Sequence, residues 1–189
     1  MNNPLHKAIG DLVNRDIFPG SEIIKDPACQ DFGQGKKQHI PLFCLKDTED
    51  KSRKTVYCNV DLLLLVKDKI RVIIEIEEAN IKPTQVCGKF LTSTLATHYI
   101  HSGKKYSMAE AVLFIQILDT SKLKGKTSKE KQWENIKKSI NEIIDALNSK
   151  IKIKCYNLVF GNKDEFGERS PKSKELKDCI INFLKKEAL

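Results

Sequence analysis

Two strongly apolar segments, Val56 to Val66 and Ile70 to Ile76, are separated only by Lys67-Asp68-Lys69. Their lengths and branched side chains predict neighbouring β-strands joined by a tight hairpin. A run such as Leu62-Leu63-Leu64-Leu65 leaves no strand face for water, so the first strand is expected to be buried on both sides.

The rest of the chain supplies the layers that such a hairpin needs. Leu5, Ala8, Ile9, Leu12 and Val13 recur at helical spacing and predict an opening helix that stops at the Phe18-Pro19-Gly20 turn. Residues 26–54 are rich in Gly, Pro and charge around the short patch Ile40-Pro41-Leu42-Phe43, and predict an irregular excursion with one edge strand. Beyond a loop at Asn80 to Pro83, Thr84 is placed to cap a helix burying Val86, Phe90, Leu91, Leu95 and Tyr99. Ala111 to Leu118 and Ile151 to Phe160 read as strands. Trp133, Ile136, Ile140, Ile143, Ile144 and Leu147 mark one face of a long helix, and Leu176, Cys179, Ile180, Phe183 and Leu184 mark a closing one. A hairpin followed by alternating helices and strands predicts an α/β fold, with a mixed central β-sheet flanked by helices.

Carboxylates stand where hydrocarbon is expected. Asp61 opens the leucine run, Glu75 follows Val72-Ile73-Ile74, and Glu77 and Glu78 come directly after Ile76. A buried ionised carboxylate is costly, and several together repel one another and resist ionisation. A divalent cation with a preference for oxygen ligands resolves both difficulties. Side chains alternate along a strand, so Glu75 and Glu77 share a face, whereas Glu78 points to the other and is expected in solvent. In a hairpin centred on Asp68, residue i pairs with about residue 136 − i, which sets Asp61 opposite Glu75 at a Cβ separation of about 5 Å. The competing reading puts these acids on the wet face of an antiparallel sheet. The apolar residues of both parities around them oppose it.

Asp61, thirteen residues, then Glu75-Ile76-Glu77, on a hairpin followed by a helix, resembles the PD-(D/E)xK nuclease superfamily. The resemblance covers about Val56 to His101. It implies a restriction endonuclease-like core, with residues 1–189 forming one nuclease-like domain. Val60 stands where many members have Pro, and Glu77 where most have Lys. Some restriction endonucleases of the superfamily carry Glu there; otherwise Lys82 or Lys89 is the nearest substitute for the missing lysine, or the site binds metal without cutting. Carried over, Asp61 and Glu75 hold Mg2+ (Mn2+ substituting) against the scissile phosphate, and Glu77 holds or deprotonates the attacking water. The activity implied is a metal-dependent endodeoxyribonuclease of the type II restriction class, acting as a homodimer because two strands need two sites. The alternatives are a repair or recombination nuclease of the same superfamily, and a non-catalytic nucleic-acid-binding protein on a degenerate nuclease fold.

Charge agrees with a polyanionic partner. Residues 1–100 hold 14 Lys and Arg against 13 Asp and Glu, and residues 101–189 hold 19 against 12. Lysines drive sequence-independent binding to double-stranded DNA by displacing its counterions. Lys122, Lys124, Lys126, Lys129 and Lys131 form the densest cluster, with Lys82 and Lys89 near the acids; a solvated loop is the alternative for the cluster. No apolar run reaches the length of a membrane span and no signal-peptide core is present, so a cytoplasmic location is expected. Six scattered cysteines without a Cys-x-x-Cys pair suggest reduced thiols. The spacing of Cys29, His39, Cys44 and Cys58 fits no compact zinc site. His98 and His101, three apart on the helix expected there, are explained by an exposed helix end as well as by a ligand pair. Neither Ser93 nor Ser107 has the partners of a serine hydrolase, and no Gly-rich phosphate loop is present.

Overall fold

A computed structural model describes residues 3–30, 39–44, 54–78, 81–123 and 128–186; Lys124 and Lys126 lie outside the described residues. Within them, eight strands make one sheet: β1 (Glu22–Lys25), β2 (Ile40–Phe43), β3 (Val56–Val60), β4 (Leu62–Val66), β5 (Lys69–Glu77), β6 (His98–His101), β7 (Lys104–Asp119) and β8 (Ile153–Gly161). The order is β1-β4-β5-β7-β6-β2-β3, with β8 also beside β7. β5, β7 and β8 run parallel to one another, and the other pairings are antiparallel. Four helices flank the sheet: α1 (Pro4–Leu12), α2 (Pro83–Leu95), α3 (Ser128–Ala146) and α4 (Pro171–Lys186). The mixed α/β architecture expected from the sequence is therefore present.

The helices divide between the faces. Val86 and Phe90 of α2 and Trp133, Ile140 and Ile144 of α3 pack with Leu63, Ile73, Phe114 and Tyr156. Leu5 and Ile9 of α1 and Leu176, Ile180 and Phe183 of α4 pack with Leu62, Val72, Ile74 and Leu113. β4 and β5 are consequently covered on both sides, which is what their unbroken apolar runs require. Among the described residues no helix is long and apolar enough to cross a membrane.

The β4–β5 turn consists of Lys67 and Asp68, both at positive φ (51° and 60°), the backbone that a two-residue hairpin demands. Next to the turn Val66 pairs with Lys69 and Leu65 with Ile70; beyond it Leu64 pairs with Val72, Leu63 with Ile73 and Leu62 with Ile74. Arg71 is the extra residue, a β-bulge. That single insertion sets the register so that the position opposite 61 is Glu75 rather than Ile74.

Several sequence expectations need correction. Val56 to Val66 is not one strand: Asp61 interrupts it, and the chain there leaves its partner β2 for new partners, β1 and β5. Of these two segments β4 alone is buried on both faces; β3 alternates, with Tyr57 45% exposed. The patch at Ile40–Phe43 is a strand, but it lies between β3 and β6 rather than at an edge. The helix after Glu77 starts two residues earlier than expected, with Lys82 as N-cap and Pro83 in the first turn, and it stops at Leu95. Tyr99, His98 and His101 belong to β6, where Tyr99 pairs and stacks with Tyr106. The i, i+4 spacing of Leu91, Leu95 and Tyr99 imitated a helical stripe, yet Leu91 and Leu95 are exposed. Ile143 of α3 and Leu147, just beyond its end, are exposed as well.

Candidate active site

The acids meet at the carboxyl end of the parallel strands, where α/β sheets commonly bind ligands. Glu75 and Glu77 project from the end of β5 toward the α2 side and are buried, Glu75 completely (0% exposed). Asp61 reaches them from the strand break. Its backbone N–H donates to Ile74 O (3.2 Å) and its carbonyl accepts from Asp26 N–H (2.8 Å). Its side-chain Oδ2 accepts from Ile76 N–H (2.7 Å). A short polar side chain thus replaces a missing ladder bond, and this pins the carboxylate between Glu75 and Glu77.

Two side chains of α2 enter the cluster. Lys89 donates to Glu75 Oε2 (3.0 Å) and to Asn59 O (3.1 Å). One turn earlier, Gln85 Nε2 donates to Glu77 Oε2. Residues four apart share a helix face, so one stripe of α2 carries both donors while the adjacent Val86 and Phe90 pack the core. The opposite face contributes His6 of α1. Its backbone N–H (2.8 Å) and Nδ1 (2.9 Å) both meet Glu78 Oε1, and Nε2 lies 3.5 Å from Asp61 Oδ1. Glu78 is therefore not a solvated bystander, as its sequence position suggested, but the anchor of α1 against the site.

Electrostatics follow from burial. Burial pushes the Glu75 carboxyl well above the usual carboxylate range; Lys89 opposes this shift and the charge of Asp61 adds to it. Glu77 is raised for the same first reason, with Lys89 again opposing. For Lys89, burial works against the charge, but Glu75 outweighs it and the ammonium is held more firmly than usual. Burial likewise disfavours the His6 imidazolium, yet Asp61 and Glu78 prevail and raise its pKa to about 9.

The His6 shift predicts a pH signature in metal-free protein. A folded value of about 9 above the ordinary ~6.5 gives stabilisation that is complete below about pH 6.5 and lost as pH rises through the folded value. Thermal melts in chelator should show His6→Gln closing on wild type between about pH 6.5 and 9, from an initial deficit of about 3 kcal/mol. A pH-independent gap between the two proteins would mean that His6 is not an imidazolium there.

Among the described residues, no three Asp, Glu, His or Cys side chains stand in an arrangement that would hold a metal ion. One oxygen of each acid is committed to a protein donor: Glu75 to Lys89, Glu77 to Gln85, Asp61 to Ile76. The second oxygens of Glu75 and Glu77 are buried and have no hydrogen-bond partner. Unpaired buried acceptors are costly, and an all-oxygen set suits a hard divalent cation such as Mg2+ or Mn2+. In donor chemistry the residues present suit that group, although no three described Asp, Glu, His or Cys side chains are gathered around one point.

The lysines separate by role. Lys89 faces the acids. Lys82 is exposed at the start of α2, and Lys131 is exposed on α3. Lys122 and Lys129 come together around a cavity of about 120 Å³ that Glu78, Asp119 and Trp133 also line, which puts two cations near Glu78 rather than against Asp61, Glu75 or Glu77. His6 and Gln85 were not recognised from sequence. Their only trace there is position, since each adjoins a buried apolar stripe, His6 next to Leu5 and Gln85 next to Val86. No protein-family model, curated protein or solved structure matches this chain.

Proposed function

We propose that this protein is a cytoplasmic, Mg2+-dependent endodeoxyribonuclease of the PD-(D/E)xK type. The observation that carries the reading is the pair of buried, partnerless oxygens on Glu75 and Glu77, beside Asp61 and within reach of the Lys89 ammonium. Asp61 and Glu75 are the residues that would hold the ion, which when bound would polarise the phosphodiester and lower the pKa of the attacking water. Glu77 accepts the proton of the attacking water, a task suited to a carboxylate whose affinity for protons burial has raised. Lys89 places a positive charge where the pentavalent phosphate accumulates negative charge. It does so from a helix, in the role that the commoner superfamily lysine fills from the position of Glu77. Lys122 and Lys129 neutralise a flanking phosphate, and Lys82 and Lys131 extend the basic surface that receives duplex DNA. A type II restriction enzyme is the finer proposal, with a homodimer supplying one site per strand.

The decisive experiment incubates phage and supercoiled plasmid DNA with Mg2+, with and without chelator. Discrete fragments that require the metal are the expected result. Nicking confined to branched or damaged substrates would move the assignment to a repair or recombination nuclease. The commitment of one oxygen on every acid to a protein donor favours one rival, a nucleic-acid-binding protein on a degenerate site. Under that rival, calorimetry with Mn2+ detects no binding and DNA is retained uncut.

A further inference from the structure

Beyond the acids and their direct partners, two more buried polar atoms lie on the same face of the sheet. Gln116 of β7 is the in-register neighbour of Glu75 in the parallel β5–β7 ladder. Adjacent strands run about 4.8 Å apart and paired residues project to the same side. Gln116 is wholly buried (0% exposed). Its Oε1 accepts from the Tyr156 hydroxyl of β8 at 2.7 Å, and its Nε2 has no partner. At the paired position on β5, Glu75 Oε1 is an acceptor without a donor. A donor and an acceptor, both dry and both unsatisfied, therefore occupy paired positions. Natural cores seldom tolerate either alone, and leucine or methionine would fill position 116 of this apolar strand without the cost.

We infer that Gln116 is a positioning residue for Glu75: the Tyr156 hydroxyl fixes which way the amide faces, and the remaining N–H orients the Glu75 carboxylate, directly or through one water, for a divalent ion. The assignment rests on the proposed metal site and extends it one strand further, into β7 and β8. Lys89 holds one oxygen of Glu75 from the helix above, and Gln116 addresses the other from within the sheet. Metal-ligating carboxylates are commonly oriented by such outer partners, and loss of one typically costs 10- to 100-fold in metal affinity. Phe90 and Phe114 pack around the Tyr156 ring, so the hydroxyl is held in place by aromatic contacts that a substitution at position 116 leaves intact.

The test is calorimetric titration of the full chain with Mn2+ alone, needing no DNA and no turnover. Gln116→Met should bind Mn2+ about 10- to 100-fold more weakly than wild type, and Tyr156→Phe should fall between the two. The double variant should match Gln116→Met within about twofold, because the hydroxyl acts only through the amide. Thermal melts in chelator supply the control. Removing both polar groups together deletes an unsatisfied donor, so the metal-free double variant should melt at or above wild type. A lowered melting temperature with unchanged Mn2+ affinity would show a merely structural pair and overturn the inference. Absence of Mn2+ binding by wild type would overturn the metal site itself and this assignment with it, whereas tight wild-type binding that Gln116→Met leaves unaltered removes only the role of Gln116.

Discussion

Glu75→Gln is expected to lower Mg2+-dependent cleavage by at least about a thousandfold, and at the same time to leave the metal-free protein as stable as wild type or more so. The first effect follows from the ion. A bound divalent metal supplies several kcal/mol of transition-state stabilisation, and about 4 kcal/mol corresponds to a thousandfold in rate. The second follows from the environment of the residue. Glu75 is wholly buried, one of its oxygens has no partner, and burial has raised its pKa. An acid whose folded pKa lies above its unfolded value contributes most at low pH, and that contribution fades as pH rises through the folded value. A neutral amide has no such dependence, so the advantage of the variant should grow from acid to mildly alkaline pH. Asp61→Ala should show the same loss of cleavage with the fold intact. Opposite signs for activity and stability mark a residue retained for chemistry. If Glu75→Gln cuts DNA at the wild-type rate, Glu75 is no ligand and the assignment of the active site to these acids fails with it.

Much of this site could be read in the sequence because strand geometry is rigid. The period of two put Glu75 and Glu77 on one face, and the apolar runs of β4 and β5 required both faces to be covered. The hairpin register came out correctly for a reason that the sequence does not display. The two-residue turn by itself gives the sum 135 seen at Val66–Lys69 and Leu65–Ile70; the bulge at Arg71 shifts it to the 136 of Leu62–Ile74. What could not be read was long-range. Nothing local says that the chain turns at Asp61 to pair with β2. The same holds for Tyr99, whose helical spacing from Leu91 and Leu95 was outweighed by pairing with Tyr106, a contact made in a different ladder. His6 lies 72 residues from the Glu78 it binds, and helical periodicity alone cannot say which carboxylate a polar residue beside an apolar stripe will meet. Lys89 stood among the candidates by proximity in sequence, and tertiary packing of α2 separates it from Lys82.

Lys89→Met should cost both cleavage and folding, and the two losses should respond to different second substitutions. Lys89 gives Glu75 a charged partner, with the carboxylate side chain 1% exposed and the lysine 31%. Removing Lys89 should cost about 3 kcal/mol because the buried carboxylate is left uncompensated, whereas an ammonium that is 31% exposed keeps solvent when Glu75 is neutralised. Without the ammonium, Glu75 resists ionisation further, so the deficit should be large at pH 8 and shrink toward pH 5 as the variant takes up a proton. Lys89→Met/Glu75→Gln should then recover the stability, since neither member of the pair carries a charge, and the coupling in this double-mutant cycle measures the pair. Cleavage should behave otherwise. Loss of a group that stabilises developing charge costs about 10²- to 10³-fold, and Glu75→Gln cannot restore it. Glu77→Lys can restore part of it, by returning an ammonium from the strand position where the superfamily usually carries one. In an otherwise wild-type chain Glu77→Lys should be the mildest charge change at the site, since Lys89 already supplies one cation. Complete loss of activity in Glu77→Lys would instead make Glu77 the indispensable base. Full cleavage by Lys89→Met, together with the predicted fall in stability, would confine Lys89 to holding the fold and leave Glu77 to act without it.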